Sequence, residues 1–129
     1  MALPLTVIDT TVLVDLLRGL PGAATYLKGL ERRLVASEVT RIEILRGLRA
    51  AERDAAERAF RALRWVGVDE AIARRAGMLG RRWRASHAGI ALADLVVAST
   101  ALELGAELAT SNVRHYPMFP DLRPPYGSG

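Results

Sequence analysis

Apolar residues in this chain fall into two kinds of run that alternate. Four runs are short, largely apolar and mostly rich in β-branched residues: Leu5-Thr6-Val7-Ile8, Leu34-Val35-Ala36, Trp65-Val66-Gly67-Val68 and Glu107-Leu108-Ala109-Thr110. Their length and composition predict strands, the first of them buried and parallel. Between them apolar positions recur at helical spacing. Thr11 to Leu17 forms one such stretch, stopped by Arg18-Gly19, and Pro21-Gly22 opens another, roughly Ala23 to Leu30. Ser37 suits the N-cap of a helix carrying Val39, Ile42, Leu45 and Leu48. A helix from about Ala51 to Leu63 has acids early and arginines late, the order the helix dipole favours. Asp69 or its neighbourhood caps a long helix reaching about Ser86, and Gly89 interrupts. The last helix ends at Leu104-Gly105, where glycine is a normal stop. Beyond the fourth strand, Pro117, Pro120, Pro124 and Pro125 break regular structure and leave room for a short edge strand near Leu122-Arg123.

Strands alternating with helices imply an α/β fold, a central and mainly parallel sheet covered by helices on both faces. One domain over residues 1–126 is expected, with 127–129 as a disordered tail. In such sheets ligands bind beyond the carboxyl ends of the strands. Asp9 lies at one such end and Thr110-Ser111-Asn112 at another.

Three acids interrupt the apolar pattern where Leu or Val would continue it. Asp9 closes the first strand run, Glu43 stands between Ile42 and Ile44, and Asp94 is the only charge between Ile90 and Leu102. A buried carboxylate is costly unless it is paired or binds a cation. Taken singly, Asp9 reads equally as an N-cap or a ligand, and Glu43 reads as a solvated helix residue. Asp94 suits a cap only if its helix begins near residue 95, yet Ala91 to Ala93 look as helical as the residues after Asp94. Thr110-Ser111-Asn112 fits either an ordinary turn or polar support for a carboxylate. Were the fold to gather all three acids, their repulsion would call for a hard divalent cation and point to phosphate chemistry.

Composition narrows the field further. With no cysteine, disulfides and thiolate zinc sites are excluded. No apolar run is long enough to span a bilayer, and Met1-Ala2-Leu3-Pro4 lacks a basic n-region, so a cytoplasmic protein is expected. Only 5% of residues are aromatic, so the core must be Ala, Leu and Val. The net charge is +4, carried by 17 Arg and the single Lys28. That balance suits a polyanionic partner, although a GC-rich genome accounts for the preference for Arg over Lys. Arg81-Arg82-Trp83-Arg84 joins charge to an aromatic ring, but an exposed helix face with Trp83 turned inward is the better reading. His87 reads as a surface residue and Asp15 as part of a polar helix face, while His115 is a candidate to assist at the site, although a lone loop histidine is more often surface or structural.

Four segments together resemble the PIN-domain nucleases. They are Val7-Ile8-Asp9-Thr10-Thr11-Val12-Leu13-Val14-Asp15-Leu16-Leu17, Ser37 to Leu48, Ala93-Asp94-Leu95-Val96-Val97-Ala98 and Leu108-Ala109-Thr110-Ser111-Asn112. Within that family the similarity is above all to the VapC-type ribonuclease toxins of type II toxin–antitoxin pairs. The resemblance implies an α/β/α sandwich and a Mg²⁺- or Mn²⁺-dependent endoribonuclease. It implies metal ligation by Asp9, Glu43 and Asp94, with Thr10, Thr11 and Thr110 in support. The family often has a further acid near the last strand; this chain has Asn112 there, which makes a single metal the firmer expectation. A VapB-like antitoxin, an RNA substrate and a homodimer are the implied partners. Arg114, beside the proposed site, is a candidate RNA contact. Haloacid-dehalogenase-like phosphatases and phospho-receiver domains also place Asp after a first strand. The former need a second Asp where this chain has Thr11, and both use a late Lys, whereas Lys28 is early. The alternative from another class is a non-catalytic nucleic-acid-binding or partner-sequestering protein on the same fold.

Overall fold

The computed structural model describes residues 3–87 and 89–127. Of the expected tail, Ser128 and Gly129 lie outside the described residues. The strands are β1 (Thr6–Ile8), β2 (Leu34–Ser37), β3 (Arg64–Val66) and β4 (Glu107–Ala109). They form one sheet in the order β3-β2-β1-β4, with every pairing parallel. The first and last strands of the chain are therefore neighbours: Val7 registers with Leu108 and Ile8 with Ala109.

Among the described residues six helices cover this sheet: α1 (Thr10–Leu17), α2 (Pro21–Leu30), α3 (Glu38–Gly47), α4 (Arg53–Arg61), α5 (Glu70–Trp83) and α6 (Leu92–Leu104). The two-residue alternation of a strand divides the core into two layers. Ile8, Leu34, Ala36 and Ala109 face α1, α2 and α4, where they meet Val12, Leu13, Leu27, Ala56 and Phe60. Val7, Val35 and Leu108 face the other way and pack on Val97, Ala98 and Ala101 of α6. α5 lies against α6 through Ile72, Ala76 and Val96. This is the α/β/α sandwich expected from the sequence.

Local signals set most of the boundaries. Ser37 caps α3 by accepting from the Val39 amide at 3.1 Å, and Asp69 caps α5 by accepting from the Ile72 amide at 2.9 Å. Gly105 ends α6 in the left-handed conformation, φ 61°. Elsewhere the expectations shift. The helix expected from about residue 51 begins as a 3-10 turn, Ala50–Glu52, because Glu52 turns back to accept from the Arg49 amide at 3.0 Å. α5 stops at Trp83, and the chain turns with the His87 amide on the Trp83 carbonyl at 2.8 Å. The edge strand expected near Leu122-Arg123 does not form. There the Leu122 amide closes a turn on the Phe119 carbonyl, and three neighbouring prolines lack the N–H that a strand pairing requires.

α6 starts at Leu92, so Asp94 lies in the first turn rather than ahead of it. Among the described residues no helix is long and apolar enough to cross a membrane.

Candidate metal-dependent nuclease site

Asp9 leaves the carboxyl end of β1 and occupies the N-cap position of α1, yet its side chain makes no cap hydrogen bond. That separates the two readings left open by the sequence. The side chain is only 3% exposed and faces hydroxyls instead. Thr110, just beyond β4, donates to Asp9 Oδ2 at 2.6 Å, and Thr11 donates to the same oxygen at 3.1 Å. Tyr116 donates to Asp9 Oδ1 at 3.1 Å.

Asp94 meets the same tyrosine. The Tyr116 hydroxyl is 3.2 Å from Asp94 Oδ1, and His115 Nδ1 is 2.9 Å from Asp94 Oδ2. Burial raises the Asp94 carboxyl pKa above its usual range; the His115 hydrogen bond opposes this, the charge of Asp9 adds to it, and the Tyr116 hydrogen bond again opposes it. Burial likewise pushes the Tyr116 phenol far up, reinforced by the charges of Asp9 and Asp94. The hydroxyl therefore stays protonated.

One hydroxyl has one proton, and here two carboxylate oxygens approach it. One oxygen receives that proton. The other needs a proton of its own or a cation. Both groups are hard oxygen donors, the type that Mg²⁺ and Mn²⁺ prefer. The Asp9–Asp94 pair fits a hard divalent ion on those grounds.

Glu43 stands beside this pair rather than in it. Its Oε1 accepts from Thr10 Oγ1 at 2.6 Å, which ties it to the residue after Asp9. Among the described residues no three His, Asp or Glu side chains converge closely enough to hold an ion on their own. The three-carboxylate cluster expected from the sequence is thus, among the described residues, a pair, with the third carboxylate bonded to the hydroxyl of Thr10.

The loop after β4 also differs from its expectation. Asn112 is exposed; its backbone amide donates to Thr110 Oγ1 at 3.0 Å, and among the described residues its side chain bonds none of the three carboxylates. His115 and Tyr116 are the residues of this loop that reach Asp94. Arg114 is exposed at the rim, next to it in sequence. The Ser111 backbone amide donates to Thr11 Oγ1 at 3.0 Å, which locks the loop onto the start of α1. Asp15 is not simply a polar helix face, since Tyr126 donates to it at 2.7 Å and Ser111 at 3.4 Å. Trp83 is half-buried with its indole nitrogen enclosed, in line with the inward reading.

A family model for the PIN domain matches residues 6–118. The chain belongs to the PIN domain family. This PIN domain is 51% identical over 122 residues to Ribonuclease VapC19 of Mycobacterium tuberculosis, covering 92% of the chain and 98% of the relative. To Ribonuclease VapC10 of the same organism it is 40% identical over 121 residues, covering 92% and 91%. Its fold is shared with a toxin–antitoxin complex from Klebsiella pneumoniae, at TM-score 0.77, 24% identity and coverage of 94% and 98%. It is also shared with DNA-bound VapBC from Salmonella typhimurium, at TM-score 0.82, 18% identity and coverage of 94% and 96%.

Of this PIN domain's site, Tyr116 escaped the sequence reading, which takes His115 chiefly as a surface or structural residue. Tyr116 and His115 follow Asn112 inside a loop rich in breakers, and neither interrupts an apolar run. The available signal was their distance from Thr110, which a loop of that length can return to the strand end.

Proposed function

We propose that this PIN domain is a divalent-metal-dependent endoribonuclease, using Mg²⁺ or Mn²⁺, and acts in the cytoplasm as the toxin of a toxin–antitoxin pair. The observation that carries the reading is the crowding of Asp9 and Asp94 on one hydroxyl at the carboxyl edge of the sheet. Such crowding is a demand for positive charge in the crevice where α/β folds bind ligands. RNA as the substrate is supported by the names of the two relatives, both ribonucleases. An antitoxin partner is supported by the toxin–antitoxin complexes that share the fold.

Asp9 and Asp94 would hold the ion, and Glu43, tied to Thr10 beside Asp9, would be the group to orient water toward it. A bound divalent ion supplies Lewis acidity, lowering the pKa of water and offsetting charge on the phosphodiester. The chain supplies orientation. Thr11, Thr110 and Tyr116 fix Asp9 from three directions, and Thr10 fixes Glu43. His115 fixes Asp94 through one ring nitrogen, and its side chain is 53% exposed, which leaves the other nitrogen available to a phosphate oxygen. Arg114 and Asn112 face solvent where the backbone of a bound RNA would pass. No protein nucleophile is required. On α3, Ile42 and Leu45 are 61% and 45% exposed on either side of Glu43, an apolar surface for a second copy or for the antitoxin.

Replacing Asp94 or Asp9 by Ala should lower RNA cleavage at least about a hundredfold, the scale of losing a charge-stabilising group, while circular dichroism reports a folded protein. Unchanged cleavage, in a preparation shown free of host nucleases, overturns the reading. Chelation should abolish cleavage and Mn²⁺ or Mg²⁺ restore it. Induced expression should arrest growth, and co-expression of an adjacent antitoxin gene should relieve it; harmless expression of folded, metal-binding protein counts against the toxin role.

A further inference from the structure

Next to the carboxylate pair lies a second cavity, of about 480 Å³. Its walls include His87, Arg114, Tyr116, Pro117 and Phe119, and among the described residues no acidic side chain lines it. Tyr116 belongs to both places: it helps wall the cavity, and its hydroxyl touches Asp9 and Asp94. The size lies in the ~300–1,000 Å³ range of small-ligand sites. Tyr116, Phe119 and Leu122 also belong to the core layer on α6, so the core accounts for these walls but not for Arg114 and His87. Arg114 and His87 are exposed, while Phe119 is half-buried and set 6.5 Å from the Tyr116 ring.

We infer that this cavity is a nucleobase subsite, taking one unpaired base of the RNA next to the phosphodiester presented to Asp9 and Asp94. The inference rests on the ribonuclease reading and adds to it a second point of substrate contact. Flat apolar walls of proline and phenylalanine suit the face of a base, and Arg114 can stack on that face or pair with the adjoining phosphate. The contrast in charge is the deciding feature. The carboxylate pair repels phosphate until a cation is bound, whereas the neighbouring cavity offers only neutral and cationic groups. A strand entering with its phosphate toward Asp9 and Asp94 meets this acid-free recess beside Tyr116, in which it can place a base. Duplex RNA keeps its bases stacked inside, so the subsite selects single-stranded segments.

The test uses the full chain and separates base binding from cleavage. With Ca²⁺ in place of Mg²⁺ or Mn²⁺ to neutralise the carboxylate pair, and with strand integrity checked by chromatography, a single-stranded RNA trinucleotide is titrated against the protein, followed by calorimetry and by Trp fluorescence, since His87 stacks edge-on against Trp83 at 5.4 Å. The same trinucleotide with one abasic ribose is the control. We expect the intact trinucleotide to bind about tenfold more tightly than the abasic one, the scale of one base–aromatic stack. Arg114→Ala and His87→Ala, both at exposed positions, should remove most of that preference and leave Mn²⁺ affinity unchanged. In cleavage assays with added metal the same two variants should raise KM about tenfold at constant kcat. Equal binding of intact and abasic strands, no binding of either, or variants indistinguishable from the original chain would each overturn the subsite. A protein that prefers the intact strand yet cleaves no RNA with Mg²⁺ or Mn²⁺ retains the subsite and loses the nuclease reading. One that cleaves without base preference does the reverse.

Discussion

Thr110 Oγ1 donates to Asp9 Oδ2 at 2.6 Å, across 101 positions of sequence. Both residues are buried, so water does not replace the bond if it is lost. The same hydroxyl accepts from the Asn112 amide at 3.0 Å. Thr110→Val keeps the shape and deletes both bonds. It should lower stability to urea by about 1–3 kcal/mol, the scale of stranding a buried polar group. Thr110→Ser should cost much less, and a Val variant as stable as the original would show that the bond contributes nothing.

Burial holds the Asp94 carboxyl above its usual range, with Asp9 adding to the shift against the bonds from His115 and Tyr116. A raised carboxyl pKa means that the folded state keeps its proton longer than the unfolded one. Its stabilising effect is complete below the unfolded value and is lost as pH rises through the folded value. Metal-free protein therefore loses stability at this site between acid and neutral pH. Asp94→Asn should raise its Tm by a few degrees at pH 7, and the advantage should shrink toward pH 4. Excess Mg²⁺ or Mn²⁺ should reverse the order by stabilising only the chain that retains the carboxylate. Thermal scans over pH, with and without the ion, read both effects.

Tyr116→Phe removes the one O–H that separates the two carboxylates. Hydrogen bonds to charged acceptors are worth about 1.5–3 kcal/mol, so the metal-free variant should lose about 2 kcal/mol at neutral pH. In the Asp94→Asn background the new amide supplies a donor and one charge is gone, so the same change should cost less. A double-mutant cycle that came out strictly additive would mean that Tyr116 does not mediate between the two acids.

Ser37 sits at the junction that aims α3, and through it Glu43. Ser37→Ala should cost about 1 kcal/mol, as N-cap losses usually do. If the α3 start also sets Glu43, metal affinity should weaken modestly along with stability, whereas Ser37→Thr, which keeps the capping hydroxyl, should retain both. Calorimetric titration with Mn²⁺ checks the second part.

Much of the fold was legible because strand alternation and helix caps are local. Ser37 and Asp69 announce their helices within four residues, and Gly105 ends its own. Asp9 and Asp94 were legible as candidates because a lone carboxylate stands out in an apolar run. What each does was not, since the cap reading of Asp9 fails only when Thr110 and Tyr116 arrive from the far end of the chain. Glu43 shows the converse. Its helical position was clear, but a single threonine hydroxyl holds it beside the pair, and no periodicity reports a hydrogen bond between neighbouring elements. His115 and Tyr116 lay in a segment whose only sequence signal was proline. Loop residues carry no pattern from which a partner can be read.

Pairing of the first strand with the last has a consequence for how the protein is made. Asp9 leaves the ribosome well before its sheet neighbour Ala109 and two of its hydroxyl donors, Thr110 and Tyr116. A nascent chain stalled before Glu107 carries that carboxylate with no neighbour strand on that side and nothing from the last strand to orient it. The site closes only once β4 and the loop after it have been made, so a product ended before them is chemically silent.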